Sequence, residues 1–140
     1  MAKNSFFSKL TGWLQSTEMF ERPSRNIPGN WELFEYYIDT EKELLNFDDE
    51  HLKNNSQFLR LDLNEQNNYT ISSNLSVSLF RTLDKGNWNI SKNYITFIHP
   101  DNFRNSVEFQ FAFEKGNLKL LKKDTLGKIE FFGFFRRLED

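Results

Sequence analysis

The 140-residue chain has no cysteine, which excludes a disulfide scaffold, a thiolate metal site, a cysteine nucleophile and an acylated-cysteine lipid anchor. It lacks a strong charge of either sign: the net charge of −2 argues against a general nucleic-acid or other polyanion binder. No apolar run reaches the ~18 residues needed for a membrane-spanning helix. The first residues show no apolar signal-peptide core, since Phe6-Phe7 is their longest apolar run, and a cytoplasmic location is expected. Only two histidines occur, His51 and His99, without the close pairing of a metal site. There is no nucleophile elbow, phosphate loop or dinucleotide fingerprint. The expectation is a protein that is not an enzyme and uses no metal or cofactor.

What the chain does have is aromatic side chains. They make up 16% of the residues and include sixteen Phe, against 38% hydrophobic and 27% charged overall. That balance reads as one folded domain with a short appendage, and so much ring surface has to be buried. The appendage is an N-terminal helix and linker over residues 1–28, ahead of a domain over residues 29–140. Phe6, Leu10, Trp13 and Leu14 fall on one helical face, with Phe7 beside them and Ser5 as N-cap. The plain reading is a short amphipathic helix docked on the domain. The sharper reading makes Phe6, Phe7, Leu10, Trp13 and Leu14 a docking element for a partner protein or a membrane surface. Only Lys3 and Lys9 are basic there, so electrostatic attraction to a membrane is feeble. Pro23 and Pro28 mark residues 16–28 as linker.

From Gly29 the period is two. Residues 31–39 are rich in aromatic and branched side chains. Leu59, Leu61 and Leu63 alternate with Arg60 and Asp62, and short strands follow around Tyr69 and Ile71, Val77 and Leu79, Trp88 and Ile90, and Ile95 and Phe97. Val107, Phe109, Phe111 and Phe113 share one face of a strand, and Leu118 and Leu120 follow a turn. The last strand, residues 128–138, is apolar on both faces: Ile129, Phe131 and Phe135 against Phe132, Phe134 and Leu138. Lys-Gly-Asn at residues 85–87 and 115–117, and the turn at residues 124–127, read as hairpin turns. Residues 41–47 suggest a turn or two of helix and residues 46–56 a polar loop. About eight strands without crossover helices predict an all-β fold, an eight-stranded antiparallel meander barrel with a short N-terminal amphipathic helix.

Gly29-Asn30-Trp31 opens the first strand, Gly86-Asn87-Trp88 stands in mid-chain, and Arg136-Arg137 ends the last strand. With these features residues 27–140 resemble a bacterial lipocalin-like (calycin-type) β-barrel protein. The resemblance implies that Trp31 plugs the closed end of the barrel under the guanidinium of Arg136 or Arg137, a cation–π contact worth ~0.5–2 kcal/mol. Gly29 then lets the chain turn beside the ring.

The resemblance also implies non-enzymatic binding of one small hydrophobic ligand, lipid- or fatty-acid-like, inside the barrel. Inward candidates are Leu61, Leu63, Ile71, Trp88, Phe97, Phe109, Phe111 and Phe113. Arg81, Tyr94 and Arg104 lie near strand ends and are candidates to meet a ligand carboxylate. The alternative is a protein–protein interaction module with a packed core, docking through the N-terminal helix. Residues 1–70 hold seven basic and twelve acidic residues, and residues 71–140 hold eleven and eight. The basic cluster Lys119, Lys122, Lys123, Lys128, Arg136 and Arg137 reads as a solvated outer face rather than a platform for single-stranded nucleic acid.

Overall fold

A computed structural model describes residues 26–138. The expected N-terminal helix, with Phe6, Phe7, Leu10, Trp13 and Leu14, lies outside the described residues. Nine strands follow in order: β1 (Gly29–Asp39), β2 (Leu44–Phe47), β3 (Leu59–Leu63), β4 (Asn68–Ser73), β5 (Lys85–Ser91), β6 (Tyr94–Ile98), β7 (Val107–Glu114), β8 (Asn117–Lys123) and β9 (Ile129–Leu138). Helix α1 (Asp49–Asn54) and 3-10 turns at Ser78–Phe80 and Phe103–Asn105 interrupt them. Neighbours pair antiparallel around the ring β1-β3-β4-β5-β6-β7-β8-β9, and β9 returns to β1. The fold is all-β, a closed eight-stranded antiparallel barrel, as the two-residue period predicts. β2 stands outside the ring. It pairs with the far half of β1, Tyr36 opposite Phe47 and Asp39 opposite Leu44.

The alternation that defines the strands also sorts the two faces. In β3, Leu59, Leu61 and Leu63 are buried while Arg60 and Asp62 are exposed. In β7, Phe109, Phe111 and Phe113 all join the interior cluster. The β7–β8 hairpin turns through Lys115 and Gly116, both with positive φ, as a tight two-residue turn requires. Asp124 organises the last hairpin: its Oδ1 accepts from the backbone N–H of Leu126 at 2.8 Å and of Lys128 at 2.9 Å.

Five local expectations are corrected. Leu44 to Phe47 forms strand β2, because Tyr36, Ile38 and their neighbours on β1 offer a free edge to pair with. Asp49 to Asn54 is helical rather than a polar loop. Asp48 caps it through a 2.8 Å bond from the His51 N–H, and Leu52 supplies the apolar face. Val77 and Leu79 do not form a strand; Val77 precedes and Leu79 lies within the 3-10 turn at Ser78–Phe80, whose Phe80 is buried. Residues 85–87 lie inside β5, not in a turn. Ile129 also changes sides. An irregular register between Lys122 and Lys123, opposite Ile129 and Phe131, puts Ile129 with Phe132 and Phe134 in a cluster on the outer wall.

The interior is filled by rings. Phe97 and Phe109 meet edge to face at 5.7 Å, Phe109 and Phe131 at 6.3 Å, and Tyr69 and Phe97 at 5.1 Å. Gly133 makes a further ring contact possible. A β-carbon there would run into the Phe131 ring and meet Leu33. The bare glycine leaves a hollow over which Phe131 folds to stack on Tyr36 at 5.6 Å. Gly133→Ala is therefore expected to destabilise the protein by about 1–3 kcal/mol through overpacking, read as a lower denaturation midpoint with an unchanged slope.

Candidate functional site

The two ends of the barrel are built differently. At the end where β1 begins and β9 finishes, Trp31 is fully buried and packs 6.1 Å from Phe113. Its Nε1 donates to the Ile27 carbonyl at 2.8 Å. The Arg137 guanidinium lies over the indole, 4.3 Å from the ring centroid. Its Nη1 donates to the Pro28 carbonyl at 2.8 Å and its Nη2 to the Asn26 carbonyl. Gly29 sits at φ +149°, and a β-carbon on it would collide with that guanidinium. The cation over Trp31 is thus Arg137. Arg136, one residue earlier, points to the other face of β9.

Opposite this plug, the segment between β4 and β5 turns back into the barrel. Leu75, Phe80 and Leu83 of this segment are all buried in the interior cluster. Phe80 stacks on Phe109 at 6.0 Å and meets Phe131 edge-on at 4.9 Å. Its own strands, β4 and β5, lie across the ring from β8 and β9, so this loop side chain spans the barrel mouth. Beside it, Tyr36 stacks between Phe47 at 4.6 Å and Phe131. Burial pushes the Tyr36 phenol above its ordinary value, which keeps its hydroxyl a hydrogen-bond donor.

A cleft of about 320 Å³ opens in the wall where β1 and β3 part. Their pairing ends at Glu32 and Arg60, and α1 fills the gap. Leu52 of α1 enters the interior cluster. Outside it, Arg136 bridges Glu32 at 3.1 Å and Asp49 at 3.3 Å, Arg60 meets Glu32 at 3.2 Å and Lys53 meets Asp49 at 3.2 Å. Burial alone would raise the Asp49 carboxyl, but hydrogen bonds and charge from Lys53 and Arg136 outweigh it and hold the group below the usual carboxylate range. Burial likewise works against the Arg136 charge, and Glu32 and Asp49 more than compensate it. Gln57 Oε1 is buried at the cleft and has no hydrogen-bond partner among the described residues.

The sequence candidates separate into two groups. Leu61, Leu63, Ile71, Trp88, Phe97, Phe109, Phe111 and Phe113 are brought together in the interior cluster. Arg81, Tyr94 and Arg104 are not. Arg81 is exposed and bonds the Ser76 carbonyl at 3.4 Å, Arg104 is exposed on a 3-10 turn, and Tyr94 lies 3.5 Å from Gln110 on the wall. Lying near a strand end did not turn them inward. Lys119, read as part of a solvated basic face, is buried and bonds Glu114 at 2.9 Å. Sequence reasoning missed Phe80 and Tyr36. The closely spaced Leu75, Val77, Leu79, Phe80 and Leu83 were the available signal, since a segment so apolar between two strands must be covered. Among the described residues no group of His, Asp or Glu could hold a metal ion, and no helix is long and apolar enough to cross a membrane.

Comparison with known proteins finds no family model, no curated protein and no solved structure that matches this chain. The closed eight-stranded barrel is compatible with a lipocalin-like fold.

Two outcomes follow from this geometry. Arg137→Ala removes the stacked cation and two backbone hydrogen bonds, and a stability loss of about 1–3 kcal/mol is expected in chemical denaturation. Arg137→Lys should recover only part of it, because a lysine lacks the planar fork. The stabilisation of α1 by Asp49 is present above the ordinary carboxylate pKa and is lost as pH falls through the lowered value of the folded state. Amide protection in α1 should therefore drop in acid before that of the barrel strands, and Asp49→Asn should remove this step.

Proposed function

We propose that this protein is a non-enzymatic binding barrel in the cytoplasm that takes one small hydrophobic ligand, lipid- or fatty-acid-like, into its interior. The observation that carries the reading is Phe80. The middle of the barrel mouth is held by a side chain from a loop, not from the wall. Moving residues 75–83 outward would leave a hollow lined by Phe109, Phe131 and Tyr36 without altering any strand pairing of the ring. The Tyr36 hydroxyl is the polar group best placed to meet a ligand head group, in the role first sought from Arg81, Tyr94 and Arg104. The Trp31–Arg137 plug supports the lipocalin-like reading, because it closes the far end and makes the barrel a cup.

A second reading has its own observation. The interior rings already touch one another at 4.6–6.4 Å, which suits an interaction module with a packed core. In that reading the work falls to the surface and to Phe6, Phe7, Leu10, Trp13 and Leu14.

One titration separates the two. A fluorescent fatty acid should bind the wild-type protein saturably. Phe80→Ala should bind it more tightly by about 10- to 100-fold, since displacing one buried Phe costs roughly 1.5–3 kcal/mol. No saturable binding to a folded Phe80→Ala protein contradicts the ligand reading and leaves the packed module.

A further inference from the structure

Strands on the outer wall of a barrel in water alternate polar with apolar side chains. The wall formed by β1, β7, β8 and β9, with β2 beside β1, breaks this rule. It gathers Tyr37, Leu44, Ala112, Leu121, Ile129, Phe132 and Phe134 into a second apolar cluster, separate from the interior. All seven are buried, Phe132 completely. Lys119 stands on the same wall, opposite Ala112 and Phe134, and is only 1% exposed. Every described member of the cluster belongs to a strand of the sheet. Sheet neighbours flank a side chain but do not lie over it. The described members therefore supply the wall and not a layer over it. Of the residues beyond the described ones, 139–140 are Glu and Asp, unsuited to an apolar wall, whereas residues 1–25 carry Phe6, Phe7, Leu10, Trp13 and Leu14.

We infer that residues 6–14 seat Phe6, Phe7, Leu10, Trp13 and Leu14 on this outer wall within the same molecule. The connection allows it. Arg137, near the end of β9, is bonded to the carbonyl of Asn26, so the described chain starts beside the wall. Phe134 is three residues back along β9, ~10 Å away. Residues 15–25 can span up to ~36 Å. The five apolar side chains of the segment match a wall carrying four aromatic rings, Phe34, Tyr37, Phe132 and Phe134. Left bare, those rings would form a patch that a soluble monomer rarely shows. The inference is independent of what the interior binds. It makes the N-terminal segment part of the folded body, so any partner it serves must compete with the chain's own wall.

The absence of cysteine makes the test direct. Ser8→Cys, on the polar side of the segment, accepts one nitroxide label. In the full chain the amide signals of Ala112, Leu121 and Phe132 should broaden, while Thr70 and Asn89 on the opposite wall keep their intensity. Unchanged signals at Phe132, or broadening at Thr70 instead, would overturn the inference. Mixing spin-labelled protein with isotope-labelled, label-free protein should produce no broadening; broadening there means that a second copy supplies the segment, which also overturns it. A triple variant, F6S/L10S/W13S, leaves every barrel residue in place. It should raise the fluorescence of an apolar-surface dye several-fold, and an unchanged signal counts against the cover.

Discussion

The pairing of β1 with β9 is the constraint on which the rest depends. It joins the first strand of the barrel to the last, across the longest separation in the sequence. Without it the sheet would have two open edges, one of them the Phe-rich β9, and an exposed apolar edge invites aggregation. The pairing also sets the register at both ends. Trp31 opposite Arg137 places the guanidinium beside the indole, and Tyr37 opposite Phe132 carries the outer apolar wall from β9 onto β1. A slip of one residue would turn the interior and the outer wall inside out.

Closure makes an asymmetric cup. At one end the plug is made of strand residues and backbone: an indole, a guanidinium and three carbonyls fix one another. At the other end the contacts come from connecting segments. Phe80 arrives on a loop and Leu52 on a six-residue helix held by exposed ion pairs. Exposed ion pairs contribute little and weaken with salt, whereas the plug rests on the fully buried Trp31 indole and its buried hydrogen bond to the Ile27 carbonyl, with Arg137 stacked over it from the exposed side. Any opening of the interior therefore belongs to the Phe80 end. The same asymmetry explains why the proposed ligand reading and the packed core are not opposites: the core is complete only while Phe80 is in place.

The walls of this barrel were legible in the sequence, and its lids were not. Period-two alternation in residues 59–63 and 107–113 gave strand, face and interior together, because each follows from the same pleat. Gly29 and Trp31 announced the plug, although which of Arg136 and Arg137 covered the ring depended on strand register. Residues 44–54 misled because β2 and α1 exist through tertiary contact, with the free edge of β1 and the interior reached by Leu52, and not through local pattern. Phe80 was hidden for a similar reason: an apolar loop reads as a short strand until the barrel provides a mouth for it to fill. Ile129 went to the outer wall because a bulge is a matter of strand pairing, which a single strand's alternation does not contain. Arg81, Tyr94 and Arg104 failed as interior partners because position along a strand says less than phase.

Closure itself can be measured in solution by nuclear Overhauser contacts between backbone protons of β1 and β9. Contacts linking Trp31 with Arg137 and Tyr37 with Phe132, as strong as those between β7 and β8, are what a closed barrel requires. Strong β7–β8 contacts with none between β1 and β9 would show an open sheet and contradict this account.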